Sequence, residues 1–206
     1  MVYTYLMIRI IGKIPNNVVV ACSGGLDSMV VTHFLQQGRR KVKLAYFNHD
    51  TAHSQEAQLF VENYAETHGL DLFIGRVKGT KGKRSMEEFW RDERYSFFDR
   101  VQGSFIITCH HLDDCVETWV MSSLHGESKL IPYRRGQRIH RPFLMTPRKA
   151  LRDYACRKGI KWIEDPSNAR LEYMRNHVRH AMMPHILKIN PGIKTMIRKK
   201  LIETYL

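Results

Sequence analysis

The stretch Asn17-Val18-Val19-Val20-Ala21-Cys22-Ser23-Gly24-Gly25-Leu26-Asp27-Ser28 decides the fold. The run from Val18 to Cys22 is continuous, apolar and largely β-branched, as expected of a strand buried on both faces. A diglycine and a helical pattern follow at once, so the segment reads as strand, tight turn and helix. Two glycines let main-chain N–H groups approach an anion, two serine hydroxyls add donors, and the helix presents its positive N-terminus. The loop reads as a phosphate cradle; the plainer alternative is a Gly-Gly turn. The pattern G-x-x-x-x-G-K-[ST] is absent from the chain. Without its lysine, the loop suits holding a departing pyrophosphate better than cleaving a γ-phosphate.

On the C-terminal side the alternation continues. Gly38 closes the first helix, and Val42 to Asn48 reads as a second strand. From Ser54, apolar residues at Ala57, Phe60, Val61, Tyr64 and Ala65 mark an amphipathic helix that stops at Gly69. Leu70 to Val77 is a third strand, and Lys78 to Arg84 a Gly- and Lys-rich loop. Ser85 and Glu88 form a capping box for the next helix. Phe105 to Cys109 is a fourth strand, after which Asp113 or Asp114 caps a helix through Leu124. This rhythm predicts an α/β fold with a doubly wound parallel sheet in residues 1–124. Residues 125–206 read as a basic, mainly helical extension: an irregular segment, a helix with Thr146 as N-cap that Gly159 ends, a basic helix to about Met183, and a last helix from Ile193.

At 206 residues, 43% of them hydrophobic, the chain has material for one main core plus an appendage. The formal charge is +13, but residues 1–124 carry 14 basic and 14 acidic side chains, whereas residues 125–206 carry 19 basic and 6 acidic. So lopsided a partition favours a phosphate-backbone surface built by the C-terminal part. The four cysteines, Cys22, Cys109, Cys115 and Cys156, include no C-x-x-C pair, which predicts reduced thiols in the cytoplasm. The apolar stretch Val2 to Ile14 is interrupted by charge and too short to span a bilayer, so it reads as a first helix and strand approach, with no membrane association.

In a doubly wound sheet, ligands bind outside the carboxyl ends of the strands. Those ends deliver Ser23 to Ser28, Asn48-His49-Asp50 and His110-His111-Leu112-Asp113-Asp114. Asp114 and Glu117, spaced i and i+3, share a helix face. Acids at a helix start are often only caps, but beside a triphosphate one of them together with Asp27 supplies the oxygen ligands that Mg²⁺ prefers. Of His110 and His111, one is expected in the site, and His110 is assigned to it.

The loop S-G-G-L-D-S, the segment T-C-H-H-L-D-D-C-V-E-T, the helix S-M-E-E-F-W-R-D-E-R-Y-S-F-F and the block W-I-E-D-P-S-N with Y-M-R-N-H-V-R-H resemble the tRNA(Ile)-lysidine synthetases of the PP-loop ATPase superfamily, over about residues 17 to 185. That resemblance implies ATP-dependent adenylation of the wobble cytidine in the CAU anticodon of an isoleucine tRNA, followed by attack of the ε-amine of free L-lysine. It implies nucleotide contacts from Ser23, Gly24, Gly25, Leu26, Asp27, Ser28, Asn48 and His110, and Mg²⁺ on Asp27 and Asp114. Catalysis falls to Asp27, Asp114, Glu117, His110 and Arg175. RNA contacts fall to Arg134, Arg135 and Arg138 of the basic segment and to Arg175 and Arg179 at the R-N-x-x-R positions.

The chain departs from the family's usual H-x-D-H-x-L-R after the second strand, reading Asn48-His49-Asp50-Thr51-Ala52-His53. Family members commonly carry further C-terminal tRNA-binding domains, so the basic last 82 residues supply the RNA grip, a second subunit completes it as a homodimer, or binding is weak. Three rival readings differ in chemistry. A PP-loop RNA thiolase would need nucleophilic cysteines; a metal-dependent phosphohydrolase would use His110, His111, Asp113 and Asp114; a non-catalytic RNA-binding relative would need neither.

Overall fold

The computed structural model describes residues 7–103 and 105–206. Six strands form one sheet in the order β3-β2-β1-β4-β6-β5, with β1 at Asn17–Ala21, β2 at Lys41–Asn48, β3 at Leu72–Arg76, β4 at Ile106–Ile107, β5 at Arg134–Arg135 and β6 at Ile139–His140. Every neighbouring pair is parallel except β5 with β6. The chain runs outward from β1 through β2 to β3, then returns to β4 on the other side of β1. The strand order reverses there, so the ends of β1 and β4 open a crevice. The expected doubly wound α/β sheet is borne out.

Eight α-helices complete the described residues: α1 Leu26–Gln37, α2 Ala52–Thr67, α3 Met86–Arg100, α4 Leu112–Ser123, α5 Arg148–Lys158, α6 Met174–His177, α7 Met183–Ile189 and α8 Ile193–Tyr205. Strand alternation sorts β1 between two layers. Val18, Val20 and Cys22 face α1, α2 and α5 in one apolar cluster, while Val19 joins Ala45, Phe47, Ile106 and the Tyr95, Phe97 and Phe98 side of α3 in another. A third cluster packs α4 through Leu112, Cys115, Val116 and Val120 against Ile193, Ile197 and Leu201 of α8. No helix among the described residues is long and apolar enough to cross a membrane.

The sheet does not stop at Leu124, where the sequence reading placed the domain boundary. Ile139 and His140 pair with Ile106 and Ile107, and His140 stacks on Phe105 with ring centroids 3.8 Å apart. The segment expected to be irregular thus holds a short hairpin that completes the sheet. Arg138 fastens it: its guanidinium donates to the main-chain carbonyls of Asp99, Val101 and Gly103 at the end of α3. Thr146 does not cap α5, whose N-cap is Pro147. Its hydroxyl instead accepts from Arg9 N–H (2.9 Å) and donates to Arg9 C=O (2.7 Å). The first helix expected within Val2 to Ile14 falls partly outside the described residues, and from Met7 to Asn16 the chain is irregular. The basic helix expected to end near Met183 runs on from the π-helical turn Val178–Met182 into α7, with Pro184 in the first turn of α7, where no bond within α7 is lost.

Gly75 of β3 lies under the Phe97 ring, where an added Cβ would stand 2.5 Å from two ring carbons. Gly75→Ala is therefore expected to lower stability by about 1–3 kcal/mol, the usual cost of overpacking. In urea denaturation the loss should shrink in a Phe97→Leu background; an equal loss in both backgrounds would show that the ring is not the cause.

Candidate active site

The loop from Ser23 to Ser28 joins β1 to α1 and is organised by its own last serine. Ser28 Oγ accepts from Ser23 N–H (3.2 Å) and donates to Gly25 C=O (2.9 Å), and Gly25 is the N-cap of α1 without any capping side chain. Gly24 is buried at φ +79°, and a Cβ there would meet Ile163, Phe60 and Val61 at 3.1–3.3 Å. Glycine answers both the backbone sign and the lack of space. Gly24 C=O accepts from Ile163 N–H (2.9 Å), which brings the W-I-E-D-P-S-N block against the loop. The Ser23 side chain is exposed, whereas Leu26 is core and offers the crevice only main chain.

His111, and not Asp113 or Asp114 as expected, ends the β4 loop as the N-cap of α4. Its main-chain N–H donates to Asp114 Oδ2 (2.9 Å), closing a capping box. The ring, 2% exposed, lies between two carboxylates, with Nδ1 3.4 Å from Asp114 Oδ2 and Nε2 3.5 Å from Asp27 Oδ2. The Asp114 N–H also approaches Nδ1 at 3.2 Å, a contact that suits a neutral ring. Two carboxylate charges outweigh one amide dipole at this range. Burial disfavours the imidazolium, but Asp114 and Asp27 prevail and raise the His111 pKa to about 9. In return, against the cost of burial, His111 and then His110 and Arg175 hold the Asp114 carboxyl down to about 2.

His110, assigned to the site from the sequence, lies beside this pair rather than within it. Its Nδ1 faces Thr108 Oγ1 at 3.1 Å, and burial, aided by the charges of Arg141, Arg175 and Arg94, pushes its pKa down to about 3 despite Asp114. A neutral and a charged imidazole thus sit side by side. Adjacent histidines look alike in sequence, and His110–Asp113 and His111–Asp114 share the capping-box spacing of three, so spacing alone does not single out His111.

Asp114 and Glu117 do share a face of α4, and both arginines of the R-N-x-x-R segment meet it. Arg179 grips Glu117 with Nε on Oε1 (2.7 Å) and Nη2 on Oε2 (2.9 Å), while Asp114 Oδ1 lies 3.5 Å from Arg179 Nη2 and 3.9 Å from Arg175 Nη1. Burial opposes the Arg179 charge, and the Glu117 hydrogen bonds more than restore it. Arg179 sits in a π-helical turn, Val178–Met182, of the kind often found at functional sites. Between the arginines, Asn176 donates to the carbonyls of Ser167 and Arg170 (2.8 and 2.9 Å) and fixes the segment. Arg179 is therefore turned inward onto an acid, as is Arg175 in part, rather than outward to RNA.

Other expected site residues serve the fold. Asn48 is fully buried; its Oδ1 accepts from Asp50 N–H and Ser54 Oγ (both 2.7 Å), and its amide donates to Gln58 (2.7 Å). It shapes the turn after β2 and is turned into the fold, away from solvent. Asp113 accepts from Arg148 N–H (2.8 Å) and pairs with Lys194, tying α4 to α5 and α8. The four-residue cluster of the phosphohydrolase reading therefore does not converge, and among the described residues no three His, Cys, Asp or Glu side chains group as metal ligands. Burial raises the Cys22, Cys109 and Cys115 thiols, which makes them poor nucleophiles. Arg138 is engaged as described above, and Arg134 and Arg135 are exposed on β5.

A divalent cation fits this donor set in one respect. Asp27 Oδ1 is buried and has no hydrogen-bond partner, an anomaly that an oxygen-seeking ion such as Mg²⁺ would resolve.

Comparison with known proteins agrees with the geometry. The family model described as the PP-loop domain matches residues 6–186. The chain is similar to the tRNA(Ile)-lysidine synthases of Persephonella marina, 37% identical over 195 residues, covering 87% of this chain and 43% of the relative. It is similar also to those of Exiguobacterium sibiricum, 31% identical with 84% and 44% covered, and Geobacter sulfurreducens, 31% identical with 89% and 43% covered. The chain spans less than half the length of these curated relatives. With a diglycine loop after β1, a parallel sheet that reverses order beside it, and a match across most of its length, the chain belongs to the PP-loop domain family.

Proposed function

We propose that this chain uses ATP to adenylate the C2 oxygen of the wobble cytidine in a CAU anticodon of isoleucine tRNA, and then joins the ε-nitrogen of free lysine to C2. The observation that carries the reading is the juxtaposition of the phosphate-type loop with a sequestered acid cluster, bridged by His111 between Asp27 and Asp114. A loop alone serves any nucleotide; the acids supply what an incoming amine needs. The relatives named above are tRNA(Ile)-lysidine synthases, and all four cysteines are unpaired, as in the reducing cytoplasm.

In the first step, cytidine O2 attacks the α-phosphorus and pyrophosphate departs. The amides of Gly24 and Gly25, the Ser23 hydroxyl and the N-terminus of α1 hold the departing phosphates. Asp27, through its unpartnered Oδ1, and Asp114 would hold Mg²⁺, which when bound offsets phosphate charge. A carbonyl oxygen is a poor leaving group, and linkage to AMP makes it a good one. In the second step the lysine nitrogen bonds to C2 and the C2–O bond breaks, with the electron pair leaving on AMP. The amine, with a reference pKa of about 10.4, sheds a proton before attacking. Glu117 anchors the amine and accepts that proton, exchanging part of its hold on Arg179, while His110, neutral at physiological pH, lines the crevice without adding charge.

Incubation with ATP, Mg²⁺, labelled lysine and a CAU-anticodon isoleucine tRNA, followed by nucleoside analysis, should give labelled lysidine with AMP and pyrophosphate. ATP-dependent incorporation of sulfur instead, or phosphate release without RNA, would replace this reading. Glu117→Gln should slow amine transfer about 10²- to 10⁴-fold and let adenylated tRNA accumulate, as mass spectrometry would report. It should also lower the melting temperature, because Arg179 loses its buried partner; near-normal lysidine formation would reduce Glu117 to a structural ion pair. Gly24→Ala should weaken ATP binding at least about tenfold by calorimetry, given the strain of a side chain at φ +79°. Unaltered affinity would remove the loop from the nucleotide site.

A further inference from the structure

An unneutralised cluster of arginines surrounds one buried tyrosine on the α3 side of the crevice. Tyr95 is 5% exposed, and its ring carries the guanidinium of Arg135 from β5 at 3.7 Å and those of Arg91 and Arg94 from its own helix at 5.7 and 5.9 Å. The buried Arg141 donates to its hydroxyl at 3.1 Å. Among the described residues, no carboxylate forms a salt bridge with Arg91, Arg94 or Arg135; the nearest relief for Arg94 is the field of Glu87 and of Tyr95 itself. Burial disfavours a Tyr95 phenolate, yet the guanidinium charges prevail and lower its pKa. Guanidinia gathered without a counter-charge repel one another, so the arrangement fits an anion supplied from outside.

One helical turn away the same face of α3 presents rings. Trp90 is half-buried and tilts against His49 at the end of β2, with centroids 5.3 Å apart, and His49 packs edge-on to Phe47 at 5.1 Å. His49 Nδ1 is buried without a hydrogen-bond partner. Burial, reinforced by Arg94, pushes the His49 pKa down to about 4, so the ring is neutral at physiological pH. Trp90 and Arg94, at i and i+4, lie on one stripe, with Arg91 beside it. Alternation of guanidinia with flat, partly exposed rings is how proteins hold single-stranded nucleic acid: phosphates meet the charges, and bases stack on the rings.

We propose that the α3 face formed by Trp90, Arg91 and Arg94, completed by His49 and by Arg135 of β5, is a track for single-stranded RNA that leads the anticodon loop to the crevice. The inference rests on the proposed tRNA substrate and specifies which surface holds it. It assigns backbone contact chiefly to α3, a helix in the charge-balanced part of the chain, and retains Arg135 from the basic hairpin. Arg138, three residues on, faces the fold instead. Net charge hides such a surface: Glu87, Glu88, Asp92, Glu93 and Asp99 share the helix, yet among the described residues none of them forms a salt bridge with Arg91, Arg94 or Arg135.

Fluorescence anisotropy across a salt series tests this with two probes: an anticodon stem-loop RNA and an unrelated single-stranded decanucleotide. Arg91→Gln with Arg135→Gln should bind both RNAs less tightly and make the log–log salt slope shallower by about 1.4, since each phosphate on a single strand contributes about 0.7. A control removing the same charge from α8, Lys199→Gln with Lys200→Gln, should leave the slope as in the unaltered chain. Trp90→Leu should weaken binding about tenfold with the slope unchanged, as expected for lost stacking, and Trp90→Phe should restore most of it. An unaltered slope in the arginine variant, or an equal change in the α8 control, would overturn the proposal. So would displacement of the decanucleotide by ATP alone, which would give the ring pair to adenine. If the chain makes lysidine yet binds RNA equally well in every variant, this inference alone fails. If it binds RNA through these residues but makes no lysidine, only the reaction proposed above fails.

Discussion

One buried imidazole joins the two halves of this site. His111 lies between Asp27, which follows the diglycine of the β1 loop, and Asp114, in the first turn of α4. Each carboxylate alone would be costly to enclose, and each is compensated by the same ring. The position of His111 follows from topology. β1 and β4 are neighbours because the chain reverses direction across the sheet, so the loops after them face one another. The capping box then fixes the ring relative to α4, since the main chain of His111 is held by the carboxylate its side chain faces.

From that constraint the remaining charges fall into place. Asp114 and Glu117 lie three residues apart on one face of α4, so a helix laid across them must supply cations, and the segment from Arg175 to Arg179 does so through a π-helical turn. Asn176 and the turn after Asp165 hold that segment, and Ile163 ties the same block to Gly24. Residues from four separate stretches thus brace one crevice. A site built this way is preorganised: its polar groups are oriented before any substrate arrives, which lowers the cost of ordering them during reaction.

Much of this was legible in the sequence because local rules and tertiary needs agree. The Val18–Cys22 run, the Ser85–Glu88 capping box and the helix-ending Gly159 each favour the local conformation they adopt, and the diglycine permits the turn it makes. Short elements held by distant partners were not legible. β5 and β6 are two residues each, and their identity as strands comes from Ile106 and Ile107 and from the carbonyls that Arg138 grips. Side-chain direction was the other gap. Asn48, Asp113 and Arg138 belong to types that bind ligands, but each is engaged in hydrogen bonds to the fold. Between His110 and His111, only the three-dimensional position of Asp27 decides which ring is bridged.

The most direct test of the bridge is a double-mutant cycle on ATP affinity, comparing Asp27→Asn, Asp114→Asn and the pair by calorimetry. If His111 couples the nucleotide loop to the acid cluster, the two changes should be non-additive by a coupling of about 0.5–3 kcal/mol. Additive losses would mean that the loop and the acids are independent features that merely lie near one another, and the account of a single composite site would be wrong.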